Sequence, residues 1–421
     1  MLRAAIAVTF TLGARQAGAE IPIVQGGGWE LYTDGRVGGF ISYTKGDGFP
    51  LTTPTQTPRG GGIDHNAAVQ ISDPNQPDVQ PTIDTMRIRS GFVSNILGIG
   101  LRRQLSEQTK LSVYLQLWSD IETESQRKYL PMPIDVRQGY VRLEGPAGEV
   151  TVGRQLTLYS RGAVEIDYKY GHGYALGFPG NISSNGPAAG HIGTGVMAPG
   201  FAAGVVYATP KLAGLQLTAG LFDPVVLQGA WDRTKFVRPE AELTYDTELG
   251  SNARIHVFTN GVWQRVYKQN QPDELFETVL GVGYGARLEV GPVHLGVAGH
   301  YGKGLGLYYA LETSEAAYDD QYRLRTTDGY YAQSQFILGD FDLNVGAGIS
   351  RVYELPTDGV ADMNGHRNSV IQSQLGISGV LVYHFSQVVH VAVDYLRANY
   401  KWHLGEKQNV NFFNGGMTVV W

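Results

Sequence analysis

From Trp29 onward apolar residues recur at every second position, and that period dictates extended chain rather than helix. Phe341, Leu343, Val345, Ala347 and Ile349 fall on one face, with Asp342, Asn344, Gly346, Gly348 and Ser350 on the other. Leu215, Leu217, Ala219 and Leu221 do the same opposite Gln216, Thr218 and Gly220, as do Val389, Val391, Val393 and Tyr395 opposite His390, Ala392 and Asp394. Alternation alone also fits a soluble sandwich with one wet face. The connections decide between the two. Short links fall near Glu107–Thr109, Pro146–Gly148, Lys211–Gly214, Gly250–Ser251, Gly291–Pro292, Gly339–Asp340 and Ser386–Gln387, and every pair of neighbouring links brackets a hairpin with a long loop. Long and short connections in strict alternation are the mark of an all-β, antiparallel transmembrane barrel with short turns on one side of the membrane, and the count between links predicts sixteen strands.

The strands are expected to start near Trp29, Thr85, Lys110, Asp135, Val150, Phe201, Leu215, Pro239, Asn252, Phe276, Val293, Tyr322, Phe341, Asn368, Val388 and Asn409. The second is irregular: Arg87 and Arg89 share a face, yet the apolar set has changed parity by Leu97, Ile99 and Leu101, which calls for a bulge or an excursion. One domain suffices. The Pro/Gly-rich stretch 46–82 lies between strands of the same array and reads as the first external loop, and the stretch 156–200 as another long one.

No run of about 20 apolar residues exists, so membrane crossing by helices is excluded. The longest apolar run, Ala4–Leu12, follows Met1–Arg3 and precedes Ala17-Gly18-Ala19. That order of positive start, apolar core and small-x-small site predicts a signal peptide over 1–19 and a mature chain of residues 20–421. The mature chain then has about 25 residues per strand and connection, where a membrane strand needs only ~9–11. Zero cysteines suit export through an oxidising periplasm and exclude thiolate metal sites. A net charge of −6 gives no footprint for nucleic acid.

Three pieces of the chain carry a resemblance. Trp29-Glu-Leu-Tyr-Thr-Asp-Gly-Arg-Val-Gly-Gly-Phe40 is similar to a porin's first strand. Arg137-Gln-Gly-Tyr-Val-Arg-Leu143, followed by Val150-Thr-Val-Gly-Arg-Gln155, resembles the strand pair that feeds a porin's third external loop. The last strand ends on an aromatic residue, with Phe413, Met417, Val419 and Trp421 in one parity. Together these resemble the trimeric general porins of Gram-negative outer membranes, in which the terminal strand is an assembly signal for the barrel-assembly machinery. Most members end in Phe, where this chain has Trp421.

The resemblance implies a homotrimer in outer-membrane lipid, passing small hydrophilic solutes and ions by passive diffusion. It also implies a third loop, here Leu156–Gly200, folded inward to narrow the channel. Glu165 and Asp167 would then stand at the constriction as its acidic side, facing a basic wall for which the candidates are Arg36, Arg87, Arg89, Arg142 and Arg154. Opposed charges across a narrow gap set up a transverse field that favours polar solutes. The same groups could instead pair and pin the loop to the wall. Parity supports Arg36 and Arg142 as lumen residues and argues against Arg154, which shares a face with Val150 and Val152. Glu144, Arg254, Glu289, Asp342 and Asp394 read as wall lining.

Other chemistry finds little support. None of the ten histidines, His172, His191, His294 and His300 among them, sits in a His-Glu-x-x-His spacing, and no Gly-x-Ser-x-Gly elbow occurs, so neither an enzyme nor a resident metal or cofactor is expected. Gly171-x-Gly173-x-x-x-Gly177 misses the dinucleotide pattern, and Asn181-Ile-Ser183 is a sequon a bacterial protein would not ordinarily use. Asp73, Asn75 and Asp78 could hold calcium but read better as a solvated turn. The chief alternative to general diffusion is a channel selective for sugars or anions, needing an aromatic track or an arginine ladder. Tyr308, Tyr309, Tyr330 and Tyr331 read as interfacial girdle before track.

Overall fold

The computed structural model describes residues 20–50, 56–61, 70–71, 79–90, 95–119, 134–168, 190–225, 231–232, 235–268, 276–312, 314–319, 321, 323–363 and 365–421. The expected leader 1–19, the stretch Asp73–Asp78, His172, the glycine run 171–177, the 181–183 sequon and the side chain of Arg89 lie outside these residues. Sixteen antiparallel strands make up the wall: β1 Trp29–Asp47, β2 in two pieces (Thr82–Arg89 and Asn95–Ser106), β3 Thr109–Ser119, β4 Asp135–Gly145, β5 Gly148–Leu156, β6 Phe201–Ala208, β7 Leu215–Phe222 and β8 Arg238–Leu249. The second half comprises β9 Ala253–Lys268, β10 Phe276–Val290, β11 Val293–Lys303, β12 Thr326–Leu338, β13 Phe341–Val352, β14 Arg367–His384, β15 Val389–Trp402 and β16 Lys407–Val420. Each pairs with its sequence neighbours. The circle closes through β1 and β16, from Arg36 opposite Val420 to Gly46 opposite Val410.

The alternation decides which face turns out. Val37, Ile41, Val141, Val152, Leu217, Val282, Val345, Val393 and Met417 are all 40–54% exposed on the outer surface. Such a continuous apolar band is stable only against lipid. The opposite parity is polar and turns inward, including Glu240, Glu242, Asn260, Gln333, Ser350, Gln374 and Asp394, all buried.

Two features the alternation left open now have causes. On β2, Ile88 stands opposite Ile41 and Ile96 opposite Arg36, so eight steps along β2 match five along β1. The three extra residues are an odd number, which inverts the parity: Met86 and Ile88 face out before the insertion, Leu97 and Ile99 after it. The Asn95 side chain spans the gap by accepting a hydrogen bond from Gly38 N at 2.8 Å. At the C-terminus, Trp421 exchanges two backbone hydrogen bonds with Gly35, at 2.8 and 3.0 Å, and its indole lies where a Cβ at Gly35 would stand. Below this point Ile21–Gly26 takes over the edge of β1, through a turn with Gly27 and Gly28 at φ 59° and 78°, the left-handed pair a tight hairpin needs.

All the expected strand starts fall within three residues of those observed except one. β12 begins at Thr326, not near Tyr322, because the chain before it is held as a loop. The Arg325 guanidinium pairs with buried Asp358, and Asp319 accepts from the backbone of Arg323 at 2.8 Å. In the first long loop Gln56–Arg59 runs parallel to Arg367–Val370, and the Trp402 indole donates to Arg59 O at 3.0 Å.

Candidate functional site: the lumen and the segment after β5

The chain leaving β5 closes on itself at the neck. Thr157 N donates to Gly200 O at 2.9 Å, and Gly200 N to Thr157 Oγ1 at 3.1 Å. Past the neck the described residues, 157–168 and 190–200, are irregular apart from one helical turn, α1 (Arg161–Glu165), entered through Ser160 in the left-handed region at φ 68°. That strained residue is held by its hydroxyl, which donates to Met197 O at 2.5 Å.

The partners of this segment belong to the polar parity of six strands. Glu240 of β8 accepts from Leu158 N and Tyr159 N at 2.7 and 2.8 Å. Ser160 N donates to Asn260 of β9 at 3.4 Å, and Arg161 Nε donates to Glu242 of β8 at 3.1 Å. On β12, Tyr331 donates its hydroxyl to Ala163 O at 2.7 Å, and Gln333 donates to Ile166 O at 2.7 Å. Gly195 N donates to Ser350 of β13, Gln374 of β14 donates to Gly193 O, both at 2.8 Å, and His300 of β11 bonds Gly195 O at 3.2 Å. Ala163, Val164, Ile166, Ile192, Val196 and Ala198 form one apolar cluster with Phe258, Ala298 and Tyr331, and Ile96 and Trp118 pack on it from β2 and β3. Side chains from both sides of the barrel therefore meet this segment.

The expected charges are arranged differently from the family pattern. The segment contributes the cation, Arg161, and the wall contributes the carboxylates, Glu240 and Glu242. Asp167 does not face water: it is fully buried, accepting from His191 N at 2.7 Å with His191 Nδ1 at 3.1 Å. His191 in turn stacks on Tyr331, ring centroids 4.2 Å apart and planes within 4°. Glu165 is partly exposed, 3.7 Å from Arg161. Its electrostatic neighbours include His256 and Arg287 of the wall, and burial pushes its carboxyl up to about 7.

Arg154 is corrected outright: it is exposed on the outer face beside Val152, opposite Gly139 and Ala203. Strand parity outweighs the Gly-Arg-Gln motif there. Arg36 and Arg142 do face inward, but neither is brought to Glu165. Arg36 is buried level with Val420, and Arg142 bonds Glu149 at 3.1 Å and Thr151 at 3.2 Å, three residues from the β4 end. Arg87 is half-buried on the inner face opposite Ser42, with Arg89 in register with Phe40. The tyrosines divide. Tyr330 is 50% exposed on the outer face, whereas Tyr331 is buried under the segment and Tyr308 donates to Gln374 at 2.6 Å.

Inward side chains of β12 to β16 are mostly buried, while those of β3 to β5 are half open, and there sits the charge that strand reading missed. Gln116 pairs with Gln138 but Leu117 with Val136, so Arg137 is the extra residue of a bulge. The bulge turns its guanidinium onto Trp118, 4.9 Å from the ring centroid, with Phe201 at 5.6 Å. Asp135 lies 2.6 Å from its Nε, and the side chain remains 35% exposed. Among the described residues no partner stands against its two Nη groups. Trp118 donates to Gln116 Oε1 at 2.7 Å, and Gln138 donates to the same oxygen at 3.0 Å. The sequence signal was Arg137 beside Gln138 at the start of β4, which a period-two template assigns to opposite faces.

Solved barrels of the same architecture are known. The outer-membrane channel DcaP of Acinetobacter baumannii aligns over 95% of this chain and 100% of its own at 13% identity, with a TM-score of 0.65. An anion-selective porin from Comamonas acidovorans aligns over 93% and 100% at 13% identity, TM-score 0.58, and Salmonella typhi OmpF with daunomycin over 94% and 99% at 10% identity, TM-score 0.53. No curated protein matches the chain. The model of the Gram-negative porin family matches residues 4–418. A closed barrel with an apolar outer band and a polar lumen is what that family builds, and this chain belongs to it: a Gram-negative porin, an outer-membrane channel for passive diffusion.

Proposed function

We propose that the segment after β5, through its described parts 157–168 and 190–200, folds into the lumen as the constriction and makes the channel a size and charge filter for small hydrophilic solutes, with a lean toward anions. Its bonds to inward side chains of six strands are the observation that carries this reading. The lean follows from the fate of each charge. Asp167 is sealed with His191, and Glu165 sits beside Arg161 with a carboxyl that is only partly ionised near pH 7. On the half-open wall, Arg102 pairs with Glu20 and Glu30, Arg142 with Glu149 and Lys110 with Glu144. Among the described residues Arg137 keeps donors to spare.

The chain has no cysteine, so single thiols test the placement directly. Glu165→Cys is expected to react with a bulky charged thiol reagent and lose conductance on reaction, while Asp167→Cys stays unreactive. A Glu165→Cys channel whose current is indifferent to complete labelling overturns the constriction reading.

The subunit state and the ends of the chain belong to the same proposal. Arg154 on the outer face is costly against acyl chains, by about 2–4 kcal/mol at the bilayer midplane. A second copy of the chain that covers that strand and pairs the guanidinium would remove the cost, which supports an oligomer, and the family resemblance sets it at a homotrimer. Phe413, Met417, Val419 and Trp421, on the strand that closes the barrel, are the proposed signal to the assembly machinery. Native mass spectrometry of protein extracted from outer membranes is expected to give three chains, each starting at Glu20; single chains or a retained Met1 would count against the respective claim.

A further inference from the structure

Where β14 turns into β15, on the side of the short links, two histidines meet inside the barrel. His384 Nδ1 and His390 Nδ1 are 2.9 Å apart with their rings nearly perpendicular, at 84°. The other nitrogen of His384, Nε2, lies 3.0 Å from Asp342 Oδ2, and Gln335 donates to the same oxygen at 3.2 Å. A carboxylate on Nε2 places the proton of neutral His384 there and leaves Nδ1 as a lone-pair nitrogen directed at His390. That is the outer-shell arrangement metal-binding histidines use. We propose that His384 and His390 form a two-imidazole chelate for a divalent transition metal, copper(II) before nickel(II) or zinc, at the periplasmic mouth of the pore.

The spacing argues for that order. With metal–nitrogen bonds of ~2.0–2.1 Å, a 2.9 Å separation subtends roughly a right angle at the metal. A right angle suits adjacent positions of a tetragonal copper or nickel site better than a tetrahedral zinc site, and copper(II) also stands highest in the general affinity order. The metal binds both Nδ1 atoms from beside the line that joins them, and the proton that His390 holds toward His384 and the Gln387 carbonyl moves to its Nε2. No third His, Cys, Asp or Glu completes a cluster among the described residues, so water fills the remaining positions. The two ligands sit either side of a four-residue link, 385–388, which fixes their separation. Arg36, whose charge acts on His390, weakens the site, and Asp342 offsets it.

The test is copper(II) titrated into the full-length folded protein, followed by electron paramagnetic resonance and calorimetry. The expected result is one copper per chain with couplings from two imidazole nitrogens. His384→Ala with His390→Ala should remove that signal while heat-modifiable mobility shows a folded barrel. Asp342→Asn should weaken binding about 10-fold or more while keeping both nitrogens, as loss of an orienting partner does. A wild-type spectrum without paired imidazole couplings overturns the proposal, and needs no variant to fold. So does undiminished copper binding in the double variant. Either result leaves an ordinary hydrogen bond between two wall histidines.

Discussion

Replacing Glu240 and Glu242 together by alanine is expected to release the segment after β5 from its wall and to convert a quiet channel into a larger, noisy one. Glu242 is nearly inaccessible and holds Arg161, and Glu240 accepts two backbone amides while lying 2.8 Å from buried Arg238. Removing one partner of a buried pair costs about 3–5 kcal/mol, since the other charge stays behind. At about 1.4 kcal/mol per tenfold, the ratio of docked to released segment should fall by a factor of about 100 or more. The wall itself should persist, since its backbone ladder does not depend on these side chains. Single-channel recording reads the effect as higher mean conductance and stronger current fluctuation. Glu242→Asp, which keeps the charge, should lie close to wild type. A double-alanine channel with unchanged conductance and noise would show that the remaining bonds, to Tyr331, Gln333, Ser350 and Gln374, hold the segment unaided.

Arg137→Gln is expected to move the permeability ratio toward cations more than the same change at Arg36, Arg87, Arg89, Arg142 or Arg154. One charge acting over about 4 Å in water is worth about 1 kcal/mol, roughly a fivefold change in relative permeability at low salt. The effect should shrink above 0.1 M salt, where screening acts over about 10 Å. Reversal potentials across a salt gradient measure it. The same measurement carries a pH signature. Since burial raises Glu165, its carboxyl is neutral below about 7 and negative above, so acidification should strengthen the anion preference. The sign for stability follows: a carboxyl raised in the fold binds its proton more tightly there, so its contribution is most favourable at acid pH and declines as pH climbs from about 4.5 through 7. Glu165→Gln should abolish that part of the pH dependence. An Arg137→Gln channel with wild-type reversal potentials at low salt would place the guanidinium off the permeation path.

The sequence by itself determined the barrel, its strand count, the alternation of long and short connections and, away from the bulge at Arg137, which strand side chains face the lumen. The physical reason is that lipid on one side and water on the other impose a strict period of two, written in the chain one residue at a time. Even the parity break in β2 was legible, because an odd insertion must invert the faces. What only the tertiary structure decided was which inward charges meet. Arg161 finds Glu242 across 81 positions of sequence, and Gln333 finds Ile166 across 167. Period gives a residue its face but not its height in the barrel or its neighbour across the lumen, so Asp167 was expected in water and lies buried against His191. Arg137 escaped for a related reason: a one-residue bulge re-aims a side chain, and bulges are set by how two strands pair, not by either strand alone.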